Sequence, residues 1–218
     1  MAPDLDPSPE ALTQAFGQAV RFQRYLLRRA CGIVYAIWAG AIAALLGLPI
    51  VIGRWPGASS LAEGIGVVVV TLAAFLAAAF SSRRVSQQAL RTTRLRTLSS
   101  APLPGTGLWV WLLVPAFILT IFAEVIVGHS ALVFFYLFVT GLAAFSLQRQ
   151  RQALGQVPPD GAWAYGSLIV GAVITIGLLV SPEWPIYPWV WVPVLGVWLA
   201  AALYALYRAP EELIGEGT

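Results

Sequence analysis

Six long apolar stretches dominate this chain, at residues 30–52, 61–80, 108–127, 131–147, 163–180 and 186–207, and none of them holds more than one charged residue. A helix needs about 20 mostly apolar residues to cross the hydrocarbon of a bilayer at 1.5 Å per residue. The stretches are continuously apolar, whereas a lipid-facing strand alternates apolar with polar residues. Only 11% of the 218 residues are charged, against about 25% in soluble domains. The expectation is an all-α, polytopic integral membrane protein of six transmembrane helices. Inside lipid each backbone N–H and C=O needs a partner, and a helix supplies it within one segment.

Charge sets the expected orientation. All 13 basic residues are arginine. Arg21, Arg24, Arg28 and Arg29 precede the first stretch, and Arg83, Arg84, Arg91, Arg94 and Arg96 fall between the second and third. Arg149 and Arg151 follow the fourth, and Arg208 follows the sixth. With six crossings these twelve share one side, and Arg54 stands alone on the other. Positively charged loops stay inside, so both termini are expected in the cytoplasm (N-in, C-in) of a multi-pass protein of the plasma membrane. Trp184, Tyr187, Trp189 and Trp191 then mark the outer start of the sixth span, and Tyr204 and Tyr207 its inner end. Aromatic rings favour such headgroup levels.

Three regions follow. Residues 1–29 form an acidic tail and an amphipathic cytoplasmic helix, 30–207 the six-helix bundle, and 208–218 a short, loose cytoplasmic tail. In the first region Ser8 is placed to cap a helix whose first position is Pro9. Leu12, Ala15, Phe16, Ala19 and Val20 share one face, with Arg21, Arg24 and Arg28 on a polar stripe. Such a helix either lies flat on the inner leaflet or extends the first span straight into the cytoplasm. Residues 81–98 contain no helix breaker, so the second helix is expected to continue there, before the turn-forming 99–107. Arg83, Arg84, Arg91, Arg94 and Arg96 make this a basic surface for anionic lipid or a cytoplasmic partner.

Few residues promise chemistry. Glu63 and Glu124 fall within expected spans, where an ionisable group is expensive. Both sit toward the outer face, with His129 and Arg54 on the same side. The sharper expectation is a small outer site in which Glu124 and Glu63 bind a cation or proton, partnered by His129 or Arg54; the plainer one is snorkelling to water. Gly32, Ala36, Gly40 and Ala44 recur every four residues on the first helix. Such a small-residue stripe permits close helix packing, here expected against Ala73, Ala77, Ala74 and Ala78 of the second. Pro115 and Pro193 are expected to kink their helices. One cysteine excludes a Cys-rich metal site, and a single histidine argues against a His-based one. No GxSxG, HExxH or Walker A pattern occurs, so catalysis is the weakest expectation, and neither a cofactor nor nucleic acid is expected.

In outline the layout resembles permeases of ATP-driven exporters. These have about six helices, an amphipathic cytoplasmic helix before the first span, and a cytoplasmic segment after the second that docks an ATPase. The likeness is architectural and rests on no diagnostic motif. Residues 181–185 are too short for the elaborate outer segment such permeases often carry. It implies a transport role, as a small permease or as the membrane subunit of an ATP-driven transporter, with an ATPase or other subunit as cytoplasmic partner. The scarcity of polar residues in the spans points instead to a non-transporting accessory, assembly or sensor protein. The Glu124→Ala variant is expected to reach the membrane fraction in normal amount but fail to complement a deletion strain; full complementation makes Glu124 structural.

Overall fold

The computed structural model describes residues 8–52, 60–92, 112, 115–116, 118–120, 122–123, 126, 130–154, 157–181 and 189–214. The described residues are helical apart from short turns. The first helix, α1, is Pro9–Ile52, followed by α2 at Ser60–Thr92, α3 at Ser130–Leu154, α4 at Pro159–Leu179, α5 at Trp191–Arg208 and a single turn, α6, at Glu211–Ile214. Four helical segments, Pro9–Ala44, Val69–Ala89, Pro159–Leu179 and Trp191–Ile214, are long and apolar enough to cross a membrane. A shorter apolar segment, Leu132–Gln148, lies in α3. The expected third span, 108–127, falls largely outside the described residues.

Local chemistry explains the helix limits. Ser8 caps α1, its side-chain oxygen accepting the Ala11 N–H at 3.3 Å and its carbonyl accepting the Leu12 N–H at 3.1 Å. Pro9 follows at the first helical position, where a missing N–H costs nothing. No proline or glycine cluster interrupts 10–48, and α1 runs unbroken for 44 residues. Of the two arrangements open to the N-terminal amphipathic segment, the straight extension is the one found. α2 likewise continues past its apolar run to Thr92. Pro193 does not kink a helix. It lies in the first turn of α5, where backbone N–H groups lack intrahelical partners.

α1 is the axis of the packing. It lies against α2, α5 and α6, while α4 bridges α3 and α5. Among the described residues alanine is the commonest buried one, including Ala39, Ala143, Ala164, Ala201 and Ala205, and small side chains let helix backbones approach closely. At the centre Tyr35, Tyr165 and Trp198 form a three-ring cluster of edge-to-face contacts, with centroids 5.7–6.3 Å apart. Such pairs contribute about 0.5–1.5 kcal/mol beyond their buried area. Large apolar side chains also cover the outside: Phe80, Phe134, Val170, Val173 and Leu203 all point away from the bundle. An apolar exterior of this extent suits lipid rather than water, and together with the four long apolar helices it fits a membrane protein.

The small-residue stripe of α1 is placed unevenly. Gly32 meets α5: a Cβ there would lie 2.8 Å from Leu206 Cγ and 3.1 Å from the Ala202 carbonyl oxygen. Ala36 and Gly40 lie on the exposed face, and nothing approaches a Cβ built on Gly40 within 4 Å. The face toward α2 instead uses Trp38 against Phe75, with ring centroids 5.9 Å apart. On α2, Ala78 is buried, Ala74 half-buried, and Ala73 and Ala77 exposed. Gly32→Ile is therefore expected to lower stability by about 1–3 kcal/mol through overpacking. Gly40→Ile should stay within about 0.5 kcal/mol of wild type. Thermal unfolding of both variants in mild detergent checks the contrast.

Candidate functional site

A polar cluster lies where α1, α3, α4 and α6 converge. Asp160 stands in the first turn of α4, after Pro158 as N-cap and Pro159 at the first helical position. An acidic group is favoured there by the partial positive charge of the helix start. It is nonetheless only 1% exposed. Its Oδ1 lies 3.9 Å from Nη2 of Arg28 on α1, an ion-pair distance too long for a hydrogen bond, and it has no hydrogen-bond partner.

Arg28 is shared. Its Nη1 donates to Glu212 Oε1 of α6 at 2.6 Å. Its Nε is buried without a partner, and its guanidinium carbon stands 6.0 Å from the centre of the Tyr204 ring. Arg208 approaches the same ring at 5.7 Å and pairs with Glu211. The C-terminal segment is thus held as far as Ile214, whereas the sequence alone suggests a loose tail. The cause is electrostatic: two consecutive carboxylates meet two guanidinium groups.

Gln150, near the end of α3, completes the cluster. Its Nε2 donates to the Tyr35 hydroxyl at 3.3 Å, tying α3 to α1. Its Oε1 is buried without a partner. The amide packs directly over Gly161, where any side chain would collide with it, so glycine at this position makes room for the tie. Gln150 and Tyr35 are both buried. Among the described residues no three His, Cys, Asp or Glu side chains are grouped to hold a metal ion, and Cys31 is a free thiol. The cluster can position charge and exchange hydrogen-bond partners.

The residues singled out by sequence are placed as follows. Glu124, His129 and Arg54 lie outside the described residues; Glu63 belongs to α2, but its side chain lies outside them as well. Arg83 and Arg84 are exposed on α2. Arg91 is in the last turn of α2, with its side chain outside the described residues, as are Arg94 and Arg96 altogether. The polar cluster was not among the expectations. Its signal was present in the sequence: Asp160 is the one acidic residue between Glu124 and Glu183, in the short stretch between two apolar runs that also carries Arg149 and Arg151.

The hydroxyls of the helices mostly serve their own backbones. Thr120 donates to Ala116 O, Thr140 to Tyr136 O, Ser146 to Leu142 O and Thr175 to Gly171 O, at 2.8–2.9 Å. Ser167 does the same to Ala164 O at 2.9 Å. Thr71 is the exception, its hydroxyl buried without a partner.

No protein-family model, no curated protein and no solved structure matches this chain.

Arg28→Ala leaves the Asp160 carboxylate without a counter-ion. An orphaned buried polar group costs about 1–3 kcal/mol, and a loss of this order is expected. Adding Asp160→Asn should restore part of it, since the second change removes the uncompensated charge. Unfolding measurements on both single variants and the double variant give the coupling.

Proposed function

We propose that this chain is a six-span plasma-membrane protein with both termini in the cytoplasm, and that it serves a transport system as its membrane subunit. It couples to a cytoplasmic protein partner through the projecting end of α1. The observation that carries this reading is the length of α1 together with the exposure of its N-terminal end. Forty-four residues make a helix roughly 66 Å long, about twice the hydrocarbon thickness. With the first span beginning near Ala30, Leu12 stands about 27 Å and Phe16 about 21 Å along the axis from the hydrocarbon edge. The headgroup layer reaches only about 5–8 Å. These side chains are 56% and 59% exposed, beyond reach of lipid if the helix keeps its direction.

The spacing of this end supports a helical partner. Leu12, Phe16, Ala19, Gln23, Leu26 and Ala30 recur at alternating intervals of four and three, the periodicity of a two-helix seam. Gln23 and Ala30 are buried, while Leu12 and Phe16 are not, so the seam runs out past the cover that the bundle provides. Arg21 and Arg24 are exposed beside it. A partner helix with an apolar face and an acidic flank suits that surface, as an ATPase or another cytoplasmic subunit would offer it. Arg83 and Arg84 extend the basic character onto α2.

A second reading, an accessory protein that moves no solute, is favoured by the hydroxyl groups. A polar solute leaving water needs groups to replace its hydration, yet five of the available hydroxyls are directed to their own helix carbonyls. The two readings share the partner and differ in its response: a transport subunit alters the partner's nucleotide hydrolysis, and an accessory protein leaves it unchanged.

Copurification from native membranes in mild detergent tests the shared element. The wild-type chain is expected to retain a soluble partner identifiable by mass spectrometry. Leu12→Glu with Phe16→Glu should lose it at unchanged membrane insertion, and replacing Arg91, Arg94 and Arg96 by Gln should weaken it. A complex whose mass equals two copies of this chain, or one indifferent to Leu12 and Phe16, overturns the proposal.

A further inference from the structure

The two carboxylates that face Arg28 are not equally satisfied. Glu212 holds a short, strong contact to Nη1 at 2.6 Å. Asp160 is more deeply buried, yet waits at 3.9 Å with Oδ1 unbonded. The Arg28 Nε, which lies on the guanidinium edge shared with Nη2, is also buried and unbonded. A guanidinium can pair with a carboxylate along that edge through two parallel hydrogen bonds. Turning Arg28 toward Asp160 would satisfy the orphan acceptor and the orphan donor together. It would withdraw Nη1 from Glu212.

From this geometry we propose that the C-terminal segment 210–214 is a detachable clasp, with Glu212 and Asp160 competing for one guanidinium. In the closed state Arg28 serves Glu212, and α6 is drawn against α1. In the open state Arg28 pairs side-on with Asp160, which ties α1 to α4 at their common end and releases the tail. The two states exchange one ion pair for another, so a modest differential interaction decides between them. Glu212 is the partly exposed member of the set, at 26% side-chain exposure against 2% for Asp160. Salt screens exposed pairs far more than buried ones, so rising salt favours release. Leu213 and Ile214, both exposed on α6, move with it. The clasp stands independently of any partner bound at Leu12 and Phe16.

The test uses the full chain in detergent with Cys31→Ser as background and spin labels at Gln18→Cys and Ile214→Cys, both exposed positions. The distance distribution is followed against sodium chloride. A narrow distribution at low salt should broaden at a defined midpoint. Glu212→Gln should be broad at the lowest salt. Asp160→Asn removes the competitor and should raise the midpoint at least two-fold. Asp160→Glu, whose longer side chain reaches the guanidinium more readily, should lower it at least two-fold. Glu211→Gln, whose ion pair is the local one to Arg208 and does not reach α1, should move it less than two-fold. A purely structural Asp160 would leave the midpoint alone or lower it in both variants. Either of those results, or an unchanged narrow distribution in Glu212→Gln, overturns the clasp. Should Asp160→Asn fail to fold, the Asp160→Glu and Glu212→Gln chains decide the matter by themselves.

Discussion

Tyr35 joins the parts of this bundle that are far apart in sequence. Its ring meets Tyr165 of α4 and Trp198 of α5, and its hydroxyl accepts the side-chain N–H of Gln150 from α3. A helix in hydrocarbon already satisfies its own backbone, and lipid is as apolar as leucine. Burial of apolar surface therefore gives little reason for one helix to choose another there. Shape and directed polar contacts make the choice. Edge-to-face rings accept a narrow range of geometries, and a buried hydroxyl in an apolar interior needs its hydrogen bond. Together these fix the rotation of α1 about its axis, and with it the positions of Arg28 below and of Gly32 against α5. Alanine at the surrounding positions is a consequence, since larger side chains would hold the backbones too far apart for the rings to meet.

The cluster around Arg28 has a different character. The aromatic centre is close-packed and leaves one donor, Trp198 Nε1, unbonded, whereas the ionic one carries an unbonded Asp160 oxygen, an unbonded Arg28 nitrogen and an unbonded Gln150 oxygen. Buried groups of this kind are costly, and in this cluster the carboxylates and the amide sit where helices start or end. Gln150 is near the end of α3, Asp160 at the start of α4, and Glu212 in the turn after α5. Side chains at helix ends can change partner without any helix losing a backbone bond. A rigid aromatic centre beside an ionic network with spare donors and acceptors is a physical basis for movement confined to one end of a bundle.

Much of the fold was legible because hydrophobic length and breaker residues act locally. Ser8 and Pro9 set the start of α1 through one side chain and one ring. The continuation of α2 to Thr92 follows from the lack of breakers. Pro193 misleads because its effect depends on helix position: in the first turn the missing N–H had no acceptor in any case. The Gly32, Ala36, Gly40, Ala44 stripe misleads in another way. Four-residue spacing places side chains on one side of a helix but does not say which neighbour is there, and of the two glycines Gly32 is met closely, by α5, and Gly40 is not. The polar cluster was illegible as a cluster, because Arg28, Gln150, Asp160 and Glu212 come from four separate elements and no spacing rule links them. Arg28 was readable as a topology marker, and that role hid its pairing. The expected outer group of Glu124, Glu63, His129 and Arg54 stays an expectation, since those side chains lie outside the described residues.

The continuity of α1 links these features to the proposed function. A helix is stiff over its length, curving gently unless proline, paired glycine or a bulge weakens it, and 10–48 of α1 contains no proline. Leu12 and Phe16 at one end and Tyr35 in the core therefore belong to the same rod. A partner that grips the outer turns applies a tilt or a twist, and the first elements to resist are those that hold α1 from the side. The aromatic centre resists through close packing, where a displacement of even half an ångström loses contact. Arg28 resists less, because its guanidinium has two carboxylates within reach and loses one as it gains the other. A load on the projecting helix is then resolved at Arg28 before the core yields, and the readout appears at α6. This ordering rests on the contrast between a close-packed contact and a shared ion pair, and it holds whether the chain moves a solute or serves a partner that does.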